Sequence, residues 1–246
     1  MTRELSSGLF QIIEYYFCLI IFIYLQRGEE NNLKGNEVIL LATIHGLHEK
    51  LSYYSYDTLE TILYDLKPDV ICAELSETRI NEGKYMEEKV EYTEVILPYV
   101  EQNDCDILPM EPNGKTRIKL VENYNNIFKN FSENNPEKNE AIQGVFESIY
   151  DYVFEEIWKD PLTVNSDLSC HLFAVKHKIQ EKMYGVEEEK AWELWNEYFA
   201  DAIINAVEEY ENKRLLVTCG AEHLYWLKNN LPKKGLTDVY LAGEYL

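Results

Sequence analysis

The chain has 246 residues, 44 of them acidic against 23 basic, for a formal net charge of −21. That length suits one large domain, or one domain with an inserted helical lobe, and it can bury a core without disulfide or metal staples. The acidity argues against a nucleic-acid backbone or an anionic membrane surface as partner, because both would be repelled.

At the amino terminus, residues 15–25 form an uninterrupted apolar run, YYFCLIIFIYL. A spanning helix needs about 20 such residues. Extending the run back to Gly8 reaches 18 residues but takes in Gln11 and Glu14. No small-x-small cleavage site follows, since the next residues are Gln26-Arg27-Gly28-Glu29-Glu30. Three expectations stand together: an uncleaved anchor, an atypical signal, or a helix packed on the domain. Localisation therefore reads as cytoplasmic or membrane-anchored through residues 8–25. Residues 26–36 are polar and read as a linker, which places the domain proper at 37–246.

Residues 37–43 predict a strand. Asp57 and Glu60 form a capping-box pattern at the start of a helix whose apolar face is Leu59, Ile62, Leu63 and Leu66. Pro68 stops that helix, and Val70-Ile71-Cys72-Ala73 is the next strand, completing a right-handed βαβ unit. A charged stretch, 77-ETRINEGKYMEEKVEY-92, precedes a helix that Pro98 should kink or break. A short third strand is expected at 107–110, and a helical pattern runs over 115–210 with loops near 133–136 and 160–165. Within it Phe146, Tyr150, Phe154 and Trp158 fall three to four residues apart, a core spacing. Strands return at 215–219 and 239–242, around a helix at 223–231. The fold class is α/β: a mixed sheet with a largely parallel core, flanking helices and a helical insert at about 115–210.

The five cysteines are odd in number and show no CxxC pair, so neither a disulfide framework nor a cysteine zinc site is indicated. Cys72 and Cys219 lie in apolar runs, as small core hydrophobes do. No GxSxG, P-loop, GxGxxG or HExxH is present, which argues against those enzyme classes.

What carries chemistry is a repeated pattern. Leu40-Leu41-Ala42-Thr43-Ile44-His45 and Leu216-Val217-Thr218-Cys219-Gly220-Ala221-Glu222-His223 each run from an apolar strand through a small residue to a histidine. Histidines there stand at carboxyl ends of strands, where open α/β sheets keep their ligand sites, and they meet at one site only if the first and last core strands share a sheet edge. Glu74 and Glu111 also stand at strand ends. A carboxylate buried unpaired at such a place is costly, so Glu74 should have a role. His45, Glu74 and His223 could hold a divalent metal (Mn, Co or Zn) with a place open for water, or do acid/base work without one. The competing reading makes each histidine a hydrogen-bonded structural residue. His48 could share the site or lie in a loop. His171 and His177 read as surface or packing residues, and Glu222 as a helix-start acid favoured by the dipole, with a catalytic role as the lesser option.

At these residues the chain resembles the Tiki/TraB/GumN group, whose wider relatives include erythromycin esterases and ChaN-like haem-binding proteins. That group has a GxxH after the first strand, a glutamate after the second and a further GxxH near the end. Here the first is Ala42-Thr43-Ile44-His45, with alanine for glycine, and the last is Gly220-Ala221-Glu222-His223. Glu74 matches the glutamate, with Arg79 matching an arginine after it; 194-LWNEYFADAI-203 keeps Asn196 but has Trp195 for the usual arginine. The resemblance implies a hydrolase, metal-assisted, acting on a peptide or ester bond of a small molecule or peptide. It equally allows a binding protein for haem or a peptide, or a membrane-tethered signalling module.

Overall fold

The computed structural model describes residues 35–82 and 88–246. The apolar segment at 8–25 and most of the linker lie outside them. No helix among the described residues is long and apolar enough to cross a membrane. Residues Gly35–Leu246 form one compact unit.

Five strands build one sheet: β1 (Glu37–Thr43), β2 (Val70–Ala73), β3 (Asp106–Pro109), β4 (Arg214–Gly220) and β5 (Val239–Leu241), in the order β3-β2-β4-β1-β5. Every pairing is parallel, so the parallel core extends to the whole sheet, and no mixed edge is present among the described residues. Strands covered on both faces are apolar throughout. Accordingly Ile39, Leu40, Leu41, Val70, Ile71, Cys72, Leu216, Val217 and Cys219 are all fully buried.

β1 and β4 run in register from Glu37↔Arg214 to Thr43↔Gly220, so the strands carrying the two histidines are neighbours. They occupy interior positions of the sheet, where the strand order changes direction and α/β folds open a crevice.

Helix α1 (Tyr56–Leu66) joins β1 to β2, and its buried face is Leu59, Ile62, Leu63 and Leu66. Its cap is not Asp57. The helix starts two residues earlier, Ser55 accepts from the Thr58 amide, and Asp57 lies in the first turn. Lys67, in left-handed backbone ahead of Pro68, ends it. After α2 (Glu77–Glu82), a π-helical turn at Tyr92–Ile96 leads into α3 (Leu97–Gln102). Widening the helix there accommodates Pro98, which lacks an amide for the ladder.

The helical insert comprises α4 (Gly114–Asn134), α5 (Pro136–Tyr152), α6 (Pro161–Val164), α7 (Asp167–Tyr184) and α8 (Val186–Glu209). The expected loop at 160–165 contains α6, opened by Asp160, which accepts from the Thr163 amide at 2.7 Å. α9 (Leu224–Asn230) then returns towards β5.

Candidate active site

The carboxyl ends of β1, β2 and β4 place His45, Glu74 and His223 around one point, the Cα of Gly220. A methyl group built on Gly220 would stand 3.1 Å from His45 Nε2, 3.6 Å from a Glu74 carboxylate oxygen and 3.8 Å from the His223 ring. Glycine gives the closest approach here, since a side chain would displace the His45 imidazole by a few tenths of an ångström.

The two GxxH segments are not equivalent in three dimensions. Thr43, and not Ala42, lies opposite Gly220, while Ala42 pairs with Cys219 inside the sheet. Ala42 has ordinary extended backbone, so its methyl replaces glycine without strain. The sharp turn falls instead on His45 itself, whose φ of 51° is left-handed. Such backbone is uncommon for a residue with a side chain, and it recurs at functional sites. His48 holds that turn in place. Its Nδ1 donates to the Tyr54 carbonyl at 2.7 Å and its Nε2 accepts from the Ile44 amide at 3.1 Å, so both nitrogens are occupied within the loop.

His45 Nδ1 lies 2.7 Å from Oε1 of Glu91. A carboxylate accepts, so Nδ1 carries the proton and Nε2 is left as a base turned towards Gly220. Burial lowers the His45 pKa, but the hydrogen bond to Glu91 and the nearby charges of Glu74 and Glu91 outweigh it, and the net direction is upward. Glu91 is fully buried, and its second oxygen has no hydrogen-bond partner.

His223 is held through the same ring nitrogen, but by a neutral partner. Its Nδ1 donates to Asn196 Oδ1 at 2.8 Å, an orientation fixed by Asn196 Nδ2 donating to the Trp192 carbonyl. The ring stacks on Trp192, with centroids 4.6 Å apart. Burial dominates and lowers its pKa to about 4, against the raising effect of Glu74. One imidazole of the pair is thus pushed up and the other down, as happens where two groups have different acid/base roles.

Glu74 is almost fully buried and carries three polar contacts. The Gly220 amide donates to one oxygen at 2.6 Å and the Lys89 ammonium lies 2.8 Å from the other, with His223 Nε2 at 4.0 Å. Burial favours its neutral form, but Lys89 and the two histidines outweigh that and hold it well below the usual carboxylate range. Lys89 also donates to Glu111, 3.0 Å away, which in turn accepts from Arg117 at 2.7 Å. Tyr92 closes the arrangement by accepting from the Glu74 amide and donating to the Thr218 carbonyl, which ties β2 to β4.

As a holder for Mn, Co or Zn the set fits poorly. The Glu74 carboxylate is already neutralised by the buried Lys89 ammonium. Among the described residues no three His, Cys, Asp or Glu side chains are arranged to hold a metal ion.

Two cavities adjoin the site and share Trp192 and His223 as a wall. One, of about 250 Å³, is bounded by His45, Gly220 and His223 and by apolar side chains of the insert, including Phe154, Trp158 and Phe173. The other, of about 220 Å³, reaches Glu74 and His223 beneath Leu120, Tyr124 and Trp195. Tyr150 and Phe154, expected as core, therefore line a cavity beside the histidines.

Of the remaining expected site residues, Arg79 pairs with Glu88 and is not among the residues around Gly220. Glu222 accepts from Lys176 at 2.9 Å, His177 at 2.7 Å and Tyr150, and its carboxyl is held well below the usual range because those donors outweigh burial. His177 is a packing residue, stacked on Trp192 at 3.9 Å, and His171 is exposed. Lys89, Glu91 and Trp192 went unrecognised in the sequence. The signal for the first two was Lys89-Val90-Glu91-Tyr92, charges alternating with residues that are buried.

Comparison with family models, with curated proteins and with solved structures finds no match to this chain.

Proposed function

We propose that the chain is a hydrolase of a carboxylic ester or peptide bond, of the Tiki/TraB kind, working through acid/base chemistry at His45. The observation that carries this reading is the His45–Glu91 pair: an imidazole in strained backbone, its Nδ1 fixed by a buried carboxylate and its Nε2 turned to the point where Glu74 and His223 also converge.

His45 Nε2 takes a proton from a water molecule as that water attacks the carbonyl carbon. Glu91 stabilises the imidazolium that forms. The same proton then passes to the leaving oxygen or nitrogen, which returns His45 to its starting state. His223 stays neutral at pH 7 and offers Nε2 as an acceptor that orients the water. Lys89 and Glu74 form a fixed dipole at the site, already organised before substrate arrives.

The test uses the full chain beside His45→Ala and His223→Ala, assayed on a panel of aryl esters and peptides, with elemental analysis of each protein. Turnover by the wild type, lost in His45→Ala without metal loss, is the expected result. Near-stoichiometric transition metal that disappears in both variants would replace His45 by a metal as the activator of water. No cleavage of any ester or peptide would overturn the hydrolase reading.

A second reading, a binding protein without turnover, is favoured by the apolar cavity beside His45. That cavity, about 250 Å³ with largely apolar walls, suits a small ligand.

A further inference from the structure

The cavity beside His45 has a composition that selects its occupant. Ile44, Leu47, Phe154, Trp158 and Phe173 give it apolar walls, and the floor is His45 and Gly220. The one carboxylate on its lining, Glu222, offers nothing to a cation. One oxygen accepts from Tyr150, and the other accepts from Lys176 and His177. The Lys176 ammonium is buried and consumed by the same contact, so no charge is left over for an anion. With a net charge of −21, the chain as a whole also repels anionic ligands. Thr43, another lining residue, buries a hydroxyl that has no hydrogen-bond partner. That oxygen is closed off from solvent, so it adds no polar contact to the cavity.

From these features we infer that the cavity is an acyl subsite for a neutral ester or amide. The group attached to its carbonyl is compact and apolar, either a medium-length alkyl chain or a single aromatic ring. At about 30 Å³ for each water-sized group, 250 Å³ holds roughly eight non-hydrogen atoms. The carbonyl carbon then lies at the floor beside His45 Nε2, where water is activated. The second cavity, on the far side of the Trp192–His223 wall, gives the other half of the substrate a separate place. This assignment rests on the hydrolase reading for its chemistry, but the shape and neutrality of the subsite are testable without turnover.

The probe is a series of straight-chain methyl ketones from butanone to undecanone, which keep the carbonyl and cannot be hydrolysed. Binding is read by quenching of tryptophan fluorescence, since Trp158 and Trp192 both line the cavity. Affinity is expected to rise about fourfold per methylene, the factor equivalent to about 0.8 kcal/mol per buried CH₂. It should stop rising near roughly eight non-hydrogen atoms. Phe154→Ala should move that limit outward by about three carbons, from the volume removed. Leu47→Trp should move it inward. Both positions are partly exposed, and circular dichroism checks that each variant is folded.

Affinity that ignores chain length, or a limit that neither variant moves, would overturn the subsite. So would tighter binding of the matching carboxylates or alkylamines than of the ketones. The same chain-length series is then run as aryl esters. Ketones bound in the expected order without any ester cleaved would leave the subsite standing and remove hydrolysis. Ester cleavage with a flat chain-length profile would do the reverse.

Discussion

Both ends of the sheet carry ion pairs, and they differ in what water can reach. At the amino ends of the strands, Arg214 bridges to Glu37 at 2.5 Å and Lys213 to Asp69 at 2.9 Å, with all four side chains between 31% and 48% exposed. At the carboxyl ends, Glu74, Lys89 and Glu111 form a connected set in which each side chain is no more than 8% exposed. Exposed pairs contribute up to about 1 kcal/mol and need no purpose beyond solubility and register. A buried set carries a desolvation penalty that apolar packing of the same volume would avoid. Its placement against two histidines, one pulled up in pKa and one down, makes chemistry the economical explanation.

The largest effect expected from breaking the carboxyl-end arrangement is on turnover. His45→Ala should lower kcat/KM by about 10²–10⁴-fold, the usual contribution of a general base, and should also lower the thermal midpoint, because the buried Glu91 carboxylate loses its hydrogen-bond partner; turnover is compared at a temperature where both proteins are folded. Glu91→Gln keeps a hydrogen-bond acceptor but removes the charge that helps raise the His45 pKa. Activity should rise with pH through that raised pKa in the wild type, and the rise should move to lower pH in the variant. A pH–rate profile left in place would show that Glu91 does not act on His45.

The next effect is on stability. Lys89→Met leaves Glu74 buried without its cation, and breaking a buried pair in this way costs about 3–5 kcal/mol. Denaturant unfolding would measure it. The double variant Lys89→Met with Glu74→Gln should recover part of the loss, because no uncompensated charge remains at Glu74. A single variant as stable as wild type would mean that water reaches the pair, and the contrast between the two ends would disappear.

How much of this was legible in the sequence follows from range. The strands were readable because covered parallel strands are continuous apolar runs, and the pairing of the two histidines was readable because the same strand-end pattern occurs twice. Glu74 was readable from the cost of a carboxylate at the end of an apolar strand. Glu91 and Lys89 were not, since their meaning depends on a helix turn that folds back onto β1 and β2 from the middle of a run of charges. Trp192 was hidden for a similar reason. On a helix of mixed composition nothing local distinguishes an indole stacked between His177 and His223 from one that packs on the core. The cap of α1 failed by two residues, where Ser55 and Asp57 both offer a side-chain oxygen and only the helix start decides.

The smallest effects set the baseline for the rest, and pH separates the two ends most cleanly. Glu37→Gln at the exposed end should change stability by less than about 1 kcal/mol, and the change should shrink further in salt. At the buried end the His223 pKa falls from 6.5 in the unfolded chain to about 4, so the native state binds fewer protons than the unfolded one between these values. Stability on its account is full above pH 6.5 and falls as pH drops towards 4, by about 3 kcal/mol over that window. His45 works in the other direction. Its raised pKa adds stability below pH 6.5 that is lost as pH climbs through the folded value, which moderates the net slope near neutrality. His223→Gln should remove the His223 part of the acid slope while Glu37→Gln leaves it intact. Equal slopes in wild type and His223→Gln would mean that this imidazole is not buried in its neutral form, and the division of roles between the two histidines would fail with it.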